Sequence, residues 1–107
     1  MVGKLLEKGA SADIQDKKGT TALMAASRIG HREVAGKLLE QGASVDIQDK
    51  NGTTALMLAS RHGHREVVGK LLEKGASVDM QDKDGWTALM AATSPPPYAR
   101  ALSLIHI

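Results

Sequence analysis

Residues Thr20 to Gly52 are written again, with few changes, as Thr53 to Gly85, and no other property of this 107-residue chain restricts its fold so tightly. Of the 33 paired positions 27 are identical. Three of the six differences, Ala25/Leu58, Ala35/Val68 and Ile47/Met80, exchange one apolar residue for another; the others are Ile29/His62, Gln41/Lys74 and Asn51/Asp84. Val2 to Gly19 repeat the second half of the unit, with 15 of 18 identities to Val68–Gly85, and Trp86 to Thr93 begin it once more. A fixed period of this length marks one supersecondary unit that buries its apolar face only by stacking on copies of itself. The domain plan that follows is a repeat array over residues 1–93, with a partial repeat over 1–19, complete repeats over 20–52 and 53–85, and the start of another over 86–93. A Pro-rich break and non-repeat tail, 94–107, come after it. Because about three units are needed for a stable stack, a piece of a longer array is expected.

Composition fits thin layers of helices better than a thick globular core. There is one Trp, one Tyr and no Phe, and the apolar content is Ala, Leu, Val, Ile and Met. No cysteine is present, so neither a disulfide framework nor a thiolate metal site is available. No apolar run approaches the ~18 residues of a membrane span, and an intracellular, cytoplasmic location is the expectation. The net charge of +2 does not make a phosphate-binding stripe. Thr20–Gly52 balances Arg28, Arg32, Lys37 and Lys50 against Glu33, Glu40, Asp46 and Asp49, and Thr53–Gly85 carries five charges of each sign. Counterion release on nucleic acid requires clustered cations, so nucleic acid is not the expected ligand.

Within each unit the residues predict an order of elements. A helix-free arm, Ala10 to Gly19, recurs as Ala43 to Gly52 and Ala76 to Gly85 and ends in an Asp-x-x-Gly turn, whose carboxylate accepts turn N–H bonds while the glycine supplies positive φ. The arm alternates apolar and polar residues, as in Val45/Ile47 and Val78/Met80, which predicts an extended segment supported by its neighbours in the stack. A short helix, Ala22 to Ile29, follows Thr21 as N-cap and is ended by Gly30. A second helix, about Arg32 to Gln41, places Val34, Ala35, Leu38 and Leu39 on one face, and the corner at Gly30-His31 makes the pair antiparallel. The second copy predicts the same over Ala55 to His62 and Arg65 to Lys74. Met1 to Lys8 reads as a remnant of a second helix stopped by Gly9.

Gly3, Gly36 and Gly69 interrupt the second helix at about 1 kcal/mol each relative to alanine, which predicts a packing reason such as close approach of a neighbouring helix. After Thr93, Ser94-Pro95-Pro96-Pro97 ends any helix. The spacing nevertheless sets Leu104 and Ile105 opposite Leu71 and Leu72, and two readings stand. Tyr98 to His106 is a surrogate second helix burying Leu104 and Ile105 on the last complete unit, or residues 98–107 are translated vector or adaptor sequence or a frameshift.

No catalytic constellation emerges. His62-Gly63-His64 has two imidazoles for a metal but no third ligand, and corner histidines with a packing role are the stronger reading. Asp46 and Asp79 lie about 10 Å apart in a stack of helix layers, too far for a carboxylate dyad, and read as turn acceptors. Ser27 and Ser60 have no His or acid at a fixed offset, and the glycines build no phosphate loop.

The sequence Asp-x-x-Gly-x-Thr, then Ala-Leu-x-x-Ala, Gly-His and Leu-Leu-x-x-Gly-Ala-x-Val-Asp, resembles the ankyrin repeat in register from Met1 to about Thr93. All copies depart from it in one place: the family's Thr-Pro-Leu-His stands here as Thr21-Ala22-Leu23-Met24, Thr54-Ala55-Leu56-Met57 and Thr87-Ala88-Leu89-Met90. Losing a preorganised Pro weakens helix entry, while Met fills the histidine's space apolarly. The resemblance implies an all-α solenoid of stacked helix-turn-helix units with protruding hairpin-like turns. It also implies a non-catalytic protein-binding module, expected to be monomeric, without cofactor or metal and with neither nucleic acid nor membrane as partner. A regulatory or substrate-recruiting segment of a larger multidomain enzyme or scaffold is the alternative. By register, the resemblance places partner contacts on Lys17, Lys18 and Thr20; Lys50, Asn51 and Thr53; Lys83, Asp84 and Trp86; and Arg28, Ile29, Arg61 and His62. Trp86 replaces the Thr of the other copies, and two readings stand: it is the apolar anchor for the partner, or its indole lies back over the adjacent turn and shields the end of the stack.

Overall fold

A computed structural model describes residues 12–93. The expected helix over Met1 to Lys8, its stop at Gly9, and the reading of residues 98–107 all lie outside the described residues. Five helices occur among those described: α1 (Ala22–Ile29), α2 (Arg32–Glu40), α3 (Ala55–Arg61), α4 (Arg65–Glu73) and α5 (Ala88–Thr93).

The local chemistry of each helix is what its sequence supplies. Thr21 and Thr54 are extended, and their hydroxyls accept from the N–H of Met24 at 3.2 Å and Met57 at 3.3 Å, satisfying one orphan donor at each helix start. At the far end of α1, Gly30 turns left-handed at φ 83° and its N–H bonds the carbonyl of Ala26. The expected boundaries shift slightly. α3 stops at Arg61, with His62 as its cap, and α2 and α4 stop at Glu40 and Glu73.

Stacking produces two layers. α1 packs on α3 and α3 on α5, forming the layer of first helices; α2 packs on α4 in the second layer, and each unit's two helices pack on each other. Between the layers lie Leu23, Leu38, Leu56 and Leu71 with Met24 and Met57, all fully buried. Burying a leucine of this kind contributes roughly 1.5–3 kcal/mol. Ala26, Ala35 and Ala59 are buried where the helices approach. Met24 and Met57, standing where the family has histidine, lie wholly in this core, so the apolar replacement expected of them is what the fold uses. Val34, expected on the buried face, is half-buried.

The arms form no regular strand among the described residues, yet they hold one another. The Lys50 N–H donates to the Lys18 carbonyl at 3.0 Å and the Lys83 N–H to the Asn51 carbonyl at 2.9 Å. Gln15 and Gln48 donate from Nε2 both to the glycine carbonyl of their own turn and to Gln48 and Gln81 of the next arm. Asp46 is not a turn acceptor as expected. Its Oδ1 accepts the Ser77 N–H of the following unit at 2.8 Å, just as Asp13 accepts the N–H and hydroxyl of Ser44. These carboxylates join units, because the arm aims them along the stack rather than back into their own turn.

Gly36 and Gly69 require another correction. A methyl group at Gly36 would meet the Lys70 ammonium at 3.4 Å, an ordinary contact with a flexible tip, and one at Gly69 would meet no described atom within 4 Å. Close helix approach is therefore not the reason for Gly36, and nothing among the described residues explains either glycine.

Candidate partner-binding surface

The exposed tips are built on a main chain with little freedom. Asp16 accepts through Oδ1 from the N–H groups of Lys18 and Thr20, Asp49 from Asn51 and Thr53, and Asp82 from Asp84 and Trp86, all at 2.8–2.9 Å. The backbone N–H bonds from Thr20 and Lys18 hold the Asp16 carboxyl below its ordinary value, since they favour the ionised form. Each turn is also closed by its glycine. Gly52 adopts φ 79°, and a Cβ there would stand 2.9 Å from the Asp82 Cα, so the next turn rests directly on a surface that only glycine provides.

From these tips Lys17, Lys18, Lys50, Asn51, Lys83 and Asp84 are exposed. Arg28, Ile29, Arg61 and His62 are exposed at the ends of the first helices, Ile29 at 68%. Expected contact positions thus fall in two groups, one on the tips and one at the first-helix ends. Thr53 is the clear exception. It is 7% exposed, its N–H is held by Asp49 and its carbonyl by the Asp49 N–H, so it is buried in the packing rather than presented at the surface. Thr20 and Trp86 are half-buried rather than open. Repetition in the sequence marked this position as one of a column, but carried no sign of how far the column sinks into the stack.

Sequence reasoning missed a second apolar feature of the arms. Ile14 is 67% exposed, although Ile47 and Met80, one and two units further on, are half-buried. The periodic pattern makes the three equivalent, so no signal in it separates them.

Of the corner histidines, His64 is accounted for by packing. His64 lies over Gly30, where a Cβ would come within 2.4 Å of its ring, and its Nε2 bonds the Arg28 carbonyl at 3.0 Å. The ring acts as donor in this bond, since a carbonyl only accepts. His62 stacks on His64 with ring centroids 6.1 Å apart. Desolvation, followed by the charges of His64, Arg61 and Arg28, lowers the pKa of His62. Among the described residues no three His, Asp or Glu side chains are grouped to hold a metal ion. Ser27 is buried, and its hydroxyl donates to the Leu23 carbonyl at 2.7 Å. On the second-helix side, Arg32 pairs across the units with Glu66, and this bond raises the arginine's pKa. Both side chains are well exposed, so the pair adds little to stability.

Paired helices, stacked arms and interlocked turns repeat at the spacing read in the sequence. The profile of the family described as Ankyrin repeats (3 copies) matches residues 1–82 and again 41–102. The chain belongs to the ankyrin-repeat family. Ankyrin repeats are, in general, protein–protein interaction modules, and this chain carries their helical solenoid fold. A search of curated proteins finds no match to it. No helix among the described residues is long and apolar enough to cross a membrane.

Proposed function

We propose that these ankyrin repeats bind a partner protein across the row of turn tips and the exposed ends of the first helices. The observation that supports this reading is the division of labour at the tips. Main-chain atoms of Lys18, Lys50, Asn51 and Lys83 carry the bonds between turns, while the side chains of the same residues are exposed. A surface of this kind changes its side chains without changing its shape. Lys17, Lys50 and Lys83 recur in one column, which favours a partner with an acidic or mixed edge, since charge complementarity steers the encounter. Trp86, at the last of the tips, is the apolar anchor; its half-buried indole position combines a fixed base with accessible surface. The surface is a recognition site without catalytic machinery of its own.

The test compares the parent with Trp86→Thr, which restores the residue of the other copies. A partner recovered with the parent chain is titrated calorimetrically against both purified proteins, after circular dichroism has shown equal helical content. The expected loss is about 2 kcal/mol, roughly thirtyfold in Kd. Equal affinity of the folded variant overturns the role of Trp86. Unchanged affinity on Lys17→Glu, Lys50→Glu and Lys83→Glu together overturns the tip surface as a whole.

A further inference from the structure

The ends of the first two first-layer helices carry a group of cations with no ion-pairing task among the described residues. Arg28 lies in the last turn of α1 and Arg61 in that of α3, and His62 caps α3. All three are exposed, and neither arginine is paired with a carboxylate among the described residues. His62 stacks on His64, whose ring donates to the Arg28 carbonyl, so the end of one unit's first helix and the corner of the next unit meet at one joint. The fold does not require an imidazole at position 62. One period earlier the place is held by Ile29, and one period later Arg61-His62 becomes Ser94-Pro95, which confines the cluster to this joint.

The charges that act on His62 are of one sign. α1 supplies Arg28, α3 supplies Arg61 and the corner supplies His64, while α5, which packs on α3, has no ionisable residue. At the start of α4, Arg65 and Glu66 line instead the hollow between the second helices, together with Arg32 and Glu33 and without His62. Desolvation first, and then the cationic neighbours, hold the pKa of His62 below the ordinary 6.5, so the ring of the free protein is neutral at about pH 7.

We infer that this joint receives a carboxylate of an acidic peptide segment at Arg28 and Arg61, and that His62 takes up a proton from solvent as the carboxylate arrives. The inference rests on the reading of the first-helix ends as part of the partner-binding surface. Guanidinium groups match the two oxygens of a carboxylate, and both are here free of an internal acid. A negative charge within about 4–6 Å favours the charged form of the imidazole, so bound His62 titrates above free His62. Affinity is therefore flat above the bound value, rises as pH falls through it, and levels off below the free value, where the ring is already charged. A difference of about one pKa unit is about tenfold in Kd. Confinement to one joint favours a peptide over a nucleic acid, since no track of cations continues along the first-helix ends for successive phosphates to follow.

Ile29 makes His62→Ile a change that the fold already accommodates in the neighbouring unit. Fluorescence anisotropy with labelled hexaglutamate measures Kd at about pH 5.5 and about pH 7.5, where the peptide carboxylates stay ionised. The parent is expected to bind about tenfold more tightly at the lower pH, and His62→Ile to lose most of that difference. The same pH dependence in both proteins overturns the inference alone and leaves the surface reading standing. Undiminished binding by Arg28→Gln with Arg61→Gln puts the peptide elsewhere and overturns the joint. No binding by the parent at either pH overturns the inference together with the acidic edge assigned to the partner. Tighter binding of a single-stranded oligonucleotide than of hexaglutamate overturns it in favour of nucleic acid. Proton NMR of the imidazoles gives an independent reading: the signal missing from His62→Ile should titrate below 6.5 in the free parent and about one unit higher with saturating peptide, and an unmoved midpoint refutes proton uptake.

Discussion

Replacing Gly36 by alanine is expected to stabilise this protein, although glycine recurs at that position in every copy of the second helix. The backbone there is helical and Gly36 is half-buried on α2, so alanine meets no conformational barrier. Its methyl group would find Lys70 Nζ at 3.4 Å, Cε at 3.7 Å and Cδ at 3.8 Å, which is contact without overlap against a side chain that moves freely. Glycine inside a helix costs about 0.8–1.0 kcal/mol relative to alanine, in part because the unfolded chain loses freedom when alanine is introduced. For a domain of this size each kcal/mol raises the melting temperature by roughly 4–8 °C.

Thermal and urea unfolding followed by circular dichroism measure the effect on the parent, Gly36→Ala, Gly69→Ala and the double variant. Each single change should add about 1 kcal/mol, and the urea midpoint should rise with an unchanged slope. Because the two glycines lie on successive helices and a methyl group at either meets no atom of the other, the double variant tests additivity as well. A lower melting temperature for Gly36→Ala would refute the reasoning, since it requires an atom pressed against that face closer than Lys70. Such a result would restore close approach as the reason for the glycines.

Gly52→Ala should destabilise by more than about 2 kcal/mol, combining a left-handed backbone with a Cβ 2.9 Å from the Asp82 Cα; Gly85→Ala has a similar φ, 81° against 79°, but no described atom within 4 Å and should lose only about 1–2 kcal/mol. Equal urea midpoints for the two variants would remove the stacked turn as a source of stability. For Asp16 the folded pKa lies below the ordinary 3.8, so its ionised form contributes stability that is present above about pH 4 and is lost as pH falls through the folded value. Asp16→Asn should therefore flatten the acid limb of the stability profile, and a limb as steep as the parent's would count against that contribution.

Much of this fold was legible because period and local chemistry point the same way. Thr21 and Thr54 cap the helices they precede, Gly30 ends α1, and the Asp-x-x-Gly carboxylates take up the turn N–H groups. These features depend on residues close in sequence, and a single unit is enough to see them. What was not legible depends on the displacement from one unit to the next. Asp46 reaches Ser77, 31 residues away, and the Gly52 methyl position is filled by the backbone at Asp82. Thr53 sinks out of reach for the same kind of reason. A repeat pattern names equivalent positions but holds no record of the distance between copies. It therefore grouped Thr53 with Lys50, where the structure exposes the lysine and buries the threonine.

In the proposed binding mode the tips keep stability and recognition apart. Stability resides in Asp16, Asp49, Asp82 and their turn glycines, which fix the main chain, and in bonds between successive turns that use only backbone atoms of Lys18, Lys50, Asn51 and Lys83. Side chains at those positions are exposed, and one paired position of the turn, Asn51/Asp84, differs between the complete copies without any change in the turn it decorates. Thr20, Thr53 and Trp86 stand one residue beyond the turn glycine, where the chain enters the stack, and there the separation ends. Thr53 is buried there, while Thr20 and Trp86, half-buried, touch the fold with one side and the surroundings with the other. In that proposed complex a partner gripping Trp86 engages the array where binding and packing are coupled, whereas the proposed contacts to Lys17, Lys50 and Lys83 alter affinity with little consequence for folding.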